Sequence, residues 1–188
     1  MPLILFNKPF GVISQFSGNK KNLSEFIVNK SVYPAGRLDK KSEGLILLTN
    51  DGKLQARITE PAFKLKKHYW VQVEGAVLKS DIDKLKKGLQ LKDGLAIAIE
   101  ASIIDQPKPI WKRNPPIRDR KNITTTWINM VITEGKNHQI RRMTASINLP
   151  TLRLIRYQIG PWEINSIKLG ENISISRKKA WSMLKKLD

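Results

Sequence analysis

Residues 45–48 read Leu-Ile-Leu-Leu, four large apolar side chains in succession. A strand with one wet face alternates polar and apolar residues, so a short unbroken run suits a strand buried on both faces. Such a strand needs neighbours to cover it. Residues 69–74 alternate, with Tyr69, Val71 and Val73 on one face and Trp70, Gln72 and Glu74 on the other. Residues 123–133 alternate as well, placing Thr126, Ile128, Met130 and Ile132 in line. Strands are also expected over 3–6, 11–16, 95–104, 151–159 and 173–175. Helical spacing marks 22–28, 53–59, 81–87 and 138–147, the last with Ile140, Met143 and Ile147 as its apolar stripe, and a basic helix is expected over 177–187. Strands outnumber helices and are not regularly separated by them. The pattern predicts an α+β fold with a mixed, mainly antiparallel sheet and flanking helices and loops. The 188 residues suffice for one domain of two subdomains. Pro61 divides them into an N-terminal α/β part, 1–60, and a C-terminal part, 61–188.

Charge narrows the partner. There are 34 Lys plus Arg against 16 Asp plus Glu, a formal net charge of +18. A folded chain this basic attracts a polyanion, and nucleic acid comes first. No apolar run approaches the ~20 residues that span a bilayer. Lys8 and Pro9 break up the opening segment, so no signal peptide is expected and the cytoplasm is the expected location. Cysteine is absent, which excludes disulfides and thiol catalysis. With only His68 and His138 besides the carboxylates, no metal centre is expected. Residues 106–121, QPKPIWKRNPPIRDRK, hold four prolines, six basic residues and Trp111. Prolines forbid regular structure here. The segment is expected to track a phosphate backbone and stack a base.

The sharpest chemical signal is residues 33–52, YPAGRLDKKSEGLILLTNDG. Asp39 follows Arg37 and precedes Lys40 and Lys41, at the mouth of the buried strand. A positive surrounding favours the ionised carboxylate, which serves as nucleophile or base.

GRLDKKSEGLILLTNDG resembles the signature of the pseudouridine synthases that act on ribosomal RNA. The opening ILFNKPFGVISQF, then KKHYWVQVEG, EGKNHQIRRM and LPTLRLIRYQIGP, extend the resemblance over nearly the whole chain. ILFNKP taken with RNPPIRDRK and PTLRLIRY is most similar to the large-subunit branch. The resemblance implies the pseudouridine synthase fold. It also implies isomerisation of a large-subunit rRNA uridine near the peptidyl-transferase centre, without cofactor or metal. Many relatives carry an N-terminal S4-type RNA-binding domain. Here the matching blocks begin at Leu3, so none is expected, and docking falls to the domain's own basic surface.

Residue by residue, Asp39 matches the family's catalytic aspartate, Tyr69 the active-site tyrosine that packs against the target base, and Arg141 the basic residue that pairs with the aspartate. Arg37 resembles the arginine that holds the target base out of its helix. Leu154 is similar to an apolar residue beneath the base. Phosphate contacts are expected from Lys64, Lys66 and Lys67, from Arg113, Arg118 and Arg120, and from Arg142 and Arg153. His138, at a helix start, suits a structural or phosphate hydrogen bond. A monomer is expected. Two other readings share the charge: a non-catalytic rRNA-binding assembly protein, and the same chemistry on small-subunit rRNA or tRNA.

Overall fold

Residues 45–48 lie in a strand, Glu43–Thr49, of which all seven residues are buried, as an unbroken apolar run requires. The computed structural model describes residues 2–117, 123–164 and 166–186. In chain order its strands are β1 (Pro2–Lys8), β2 (Tyr33–Pro34), β3 (Glu43–Thr49), β4 (Lys67–Glu74), β5 (Leu89–Leu91) and β6 (Gly94–Ala96). They continue with β7 (Glu100–Ile104), β8 (Thr125–Ile132), β9 (Thr151–Ile159), β10 (Trp162–Glu163) and β11 (Asn172–Ser176). The helices are α1 (Gly52–Thr59), α2 (Lys79–Lys87), α3 (Gln139–Ser146) and α4 (Arg177–Lys185). Among the described residues no helix is long and apolar enough to cross a membrane.

The chain divides into two compact units. One joins Met1–Leu65 to Arg156–Asp188, and the other is Lys66–Ile155. The lower boundary falls between Leu65 and Lys66, four residues beyond Pro61. The upper one corrects the expected 61–188 part, because β11 pairs with β1 and returns the C-terminal segment to the first unit.

In the first unit β1 lies between β3 and β11, antiparallel to both, with Leu5 opposite Leu47 and Ile173. Ile4, Phe6, Ile46 and Leu48 pack with Val12, Leu23, Ile27 and Val32 into its core. Asp51 caps α1 by accepting from the backbone N–H groups of Lys53 and Leu54, the usual work of an N-cap carboxylate. It also accepts from Arg177 Nε at 2.6 Å and Trp181 Nε1 at 3.1 Å. Chiefly because of Arg177, its carboxyl is pulled down to about 2, and α4 is thereby fastened to the start of α1.

In the second unit β4, β8 and β7 pair antiparallel in that order. Tyr69, Val71 and Val73 enter the core on one face of β4, beside Ile128, Met130 and Ile132 of β8. This is the alternation read from the sequence. Ile82 and Leu85 of α2 and Ile140 and Met143 of α3 complete the cluster.

Three expected elements differ. Residues 11–16 do not form a strand. Gly11 takes a left-handed φ of +85° and the Lys8 ammonium folds back onto the carbonyls of Pro9 and Val12, so a turn replaces it. The helix expected over 22–28 shrinks to a single tight turn, Leu23–Glu25, closed by a capping box between Asn22 and Glu25. Residues 95–104 divide between β6, which forms a hairpin with the unforeseen β5, and β7, which joins β8.

Candidate active site

Asp39 is half-buried in the loop between β2 and β3. Four successive carbonyls around it each accept a hydrogen bond. Arg156 Nη1 reaches Arg37 O at 3.4 Å. Ser14 Oγ donates to Leu38 O at 2.6 Å and accepts from Leu38 N–H at 3.1 Å. Ser42 N–H donates to Asp39 O at 2.9 Å, and Gly11 N–H to Lys40 O at 2.8 Å. A backbone satisfied at every carbonyl has little freedom to rotate. Just inside β3 lies Gly44, where φ is +99° and a methyl group would overlap the Arg156 carbonyl. Only glycine fits there.

Beneath this loop lie charges that the sequence reading did not single out. Lys8 is fully buried, Glu43 is 1% exposed and Arg156 is 5% exposed. Lys8 Nζ donates to Pro9 O at 3.0 Å and Val12 O at 2.9 Å. Burial, with a smaller push from Arg156, brings the Lys8 ammonium down to about 7, while Glu43 and Asp39 oppose that fall. Arg156 Nε donates to Leu45 O at 2.8 Å. Two buried cations and two carboxylates thus occupy one neighbourhood, and the mutual compensation is what makes their burial tolerable. The sequence does carry a faint signal: Arg156 interrupts an apolar run, and Lys8 and Glu43 each lie two residues from one, where a charge is uncommon.

In the second unit the structure brings together Tyr69 and Leu154, which share the core cluster. Tyr69 is 7% exposed and Leu154 5%. Arg141, half-buried on α3, donates from Nη1 to Thr151 O at 3.1 Å, and Thr144 Oγ1 lies 2.7 Å from Thr151 Oγ1. The beginning of β9 and the helix that carries Arg141 are therefore tied together.

The expected RNA-contacting cations separate into two groups. Arg37 and Lys64 are exposed, and so is His138, which precedes α3 in the left-handed region at φ 47°. Several of the cations are also engaged with other groups of the protein, the exposed Lys66 among them. Lys66 pairs with Glu100 at 2.9 Å, which lowers the Glu100 carboxyl. Lys67 donates to Thr133 O. Arg142 grips Asp93 with both Nη atoms, at 2.7 and 2.8 Å, a two-pronged geometry reserved to arginine. Arg113 ties its own loop through Pro115 O and Pro116 O. The expectation for Arg153 needs correction. It is 6% exposed, its Nη2 donates to Trp111 O at 2.9 Å, and its guanidinium stands 5.8 Å from the Trp111 ring centre. It organises the cationic loop from below. Arg118 and Arg120 lie outside the described residues.

Comparison with known proteins follows the same lines. A sequence model described as RNA pseudouridylate synthase matches residues 2–146. The chain is 51% identical over 171 residues to the ribosomal large subunit pseudouridine synthase E of Vibrio parahaemolyticus, covering 90% of this chain and 71% of that one. It is 47% identical over 169 residues to the protein of that name in Xanthomonas axonopodis, covering 88% of this chain and 89% of that one. A solved structure, described as the crystal structure of a pseudouridylate synthase, matches 97% of this chain and 73% of its own, with a TM-score of 0.77 at 23% identity. At that identity the likeness bears on the fold, and it agrees with the α+β architecture expected from the sequence.

Proposed function

The chain belongs to the RNA pseudouridylate synthase family, and on that premise we propose that it isomerises one uridine of large-subunit ribosomal RNA near the peptidyl-transferase centre, with Asp39 as the reacting carboxylate. The reaction breaks the bond from C1′ to N1, turns the base, and rejoins it through C5, with loss of the C5 proton and protonation of N1. Atoms and oxidation state are conserved, so the chemistry asks for a positioned acid–base or nucleophilic group and electrostatic support.

The observation that carries this reading is the clamped Asp39 loop. A carboxylate whose backbone neighbours are all held is poised to meet a reacting atom in one orientation. Tyr69 and Arg141 enter by the family resemblance, as the ring that packs on the uracil and as the cation that orients the carboxylate. A base within a stem cannot offer C1′ and C5 to any side chain. The nucleotide is flipped out at a cost of a few kcal/mol, with Arg37 helping to hold it there.

Phosphate contacts from Lys64, Lys66, Lys67 and the cationic segment at 106–121 offset that cost, with an affinity that falls as salt rises. The large-subunit substrate is supported by the names of the relatives about half identical over nine tenths of this chain. The protein works as a monomer in the cytoplasm.

Tritium release from C5-labelled ribosomal RNA tests the chemistry. Asp39→Asn should bind RNA as the wild type does and release no tritium. Release at the wild-type rate would remove Asp39 from the reaction. Mapping pseudouridines in cells with and without the protein identifies the RNA, and a missing modification in small-subunit rRNA or tRNA would overturn the substrate.

A further inference from the structure

We propose that the turn over residues 8–14 is a positioning device for the catalytic carboxylate, with Ser14 as its main contact and Lys8 as its lock. The proposal rests on Asp39 being the reacting group. Neither Ser14 nor Lys8 touches substrate in this scheme; they act through the backbone of residues 38–40.

The geometry is local and specific. Ser14 is 7% exposed and both functions of its hydroxyl are spent on one residue, Leu38. It donates to the carbonyl at 2.6 Å and accepts from the N–H at 3.1 Å. Leu38 immediately precedes Asp39. On the other side, Lys40 O accepts from Gly11 N–H at 2.8 Å. Asp39 is thus held by its two chain neighbours, and both anchors come from the same short turn.

That turn needs its own support. Residues 9–12 make no ladder with a strand, and Gly11 sits at φ +85°. The Lys8 ammonium supplies the closure, donating to Pro9 O and Val12 O. A fully buried lysine is a costly way to close a turn. It is tolerated because Glu43 and Asp39 compensate its charge, against the opposing Arg156. The lock and the carboxylate it positions therefore belong to one electrostatic group.

A displacement of about 1 Å at a reacting group is enough to slow a reaction roughly 100-fold while leaving binding intact. That separates positioning from general support of the fold. The test uses full-length Ser14→Ala, Ser14→Thr and Lys8→Met, with C5-tritiated ribosomal RNA as the probe. Single-turnover release is measured with enzyme in excess, RNA affinity by filter binding, and fold by thermal melting.

Ser14→Ala should slow release about 10- to 100-fold with RNA affinity within about twofold of wild type. Ser14→Thr keeps the hydroxyl and should recover most of the rate. Lys8→Met leaves Ser14 in place but opens the turn, and should show the same separation of rate from affinity. Wild-type release by Ser14→Ala overturns the proposal. So does a Thr variant as slow as the Ala variant, or a rate loss matched by an equal loss of affinity or of fold. Asp39→Asn, run beside them, keeps the two readings apart. Turnover by that variant overturns the role of the carboxylate, whereas wild-type turnover by Ser14→Ala beside an inert Asp39→Asn overturns only the positioning.

Discussion

Two buried arginines lie three residues apart on β9, and each fastens an irregular loop. Arg156, in the first unit, holds Arg37 O and Leu45 O around Asp39. Arg153, in the second, holds Trp111 O in the cationic loop. Net charge does not distinguish the two units, since each carries 17 Lys plus Arg against 8 Asp plus Glu. The difference lies in what each loop keeps from water. Around Asp39 the cations Lys8 and Arg156 are buried with Glu43, and the loop presents a carboxylate. In the other loop Lys108 and Lys112 are exposed, and the buried arginine shapes it through Trp111. Buried, mutually compensated charge fixes geometry, while exposed charge attracts a polyanion at range and is screened by salt. The first arrangement suits chemistry and the second suits docking.

The sharpest way to break this comparison is to remove both arginines in turn. Arg156→Met removes a buried cation from the charge cluster that holds Glu43 and frees the carbonyls of Arg37 and Leu45. Urea unfolding should show a loss of about 3–5 kcal/mol, and tritium release should fall even where the fold persists. Arg153→Met removes one anchor from a surface loop and should cost about 1–3 kcal/mol. Its effect should appear in RNA affinity before it appears in single-turnover rate. Equal losses of both kinds in the two variants would erase the distinction.

Stability against pH sharpens it further. The buried Lys8 gives up its proton near 7 in the folded chain but only near 10 when unfolded. Between those values the unfolded chain binds more protons, so this group makes stability rise with pH, by on the order of 3 kcal/mol from pH 6.5 to 9.5. Urea unfolding across that window should show the rise in wild type and its absence in Lys8→Met. Asp51 acts with the same sign in a lower window. Its carboxyl is held at about 2, so its contribution is complete above about 4 and is lost as pH falls toward 2. The smallest effect is expected at Lys112→Ala, which should lower the slope of log affinity against log salt by about one and leave the isomerisation rate unchanged.

The architecture was largely legible in the sequence. The unbroken run at 45–48 predicted a doubly buried strand, and the alternation at 69–74 named the core face that Tyr69, Val71 and Val73 take. Both patterns arise from burial on a period that the chain itself displays. Turns were harder. Residues 11–16 alternate like a strand, yet a lysine side chain and a left-handed glycine fold them into a turn, and no local pattern reports a side chain reaching four residues ahead.

For the site, the sequence by itself determined which residues resemble a catalytic set, because Asp39, Tyr69 and Arg141 sit in contiguous blocks. Only the tertiary structure decided that Ser14 holds Leu38, that Arg156 holds Arg37 and Leu45 across 119 and 111 positions, and that Arg153 faces inward. Periodicity is a property of neighbours in the chain. Hydrogen bonds between residues distant in the chain, and the burial of a lone charge among them, exist only once the backbone has folded and water has been excluded.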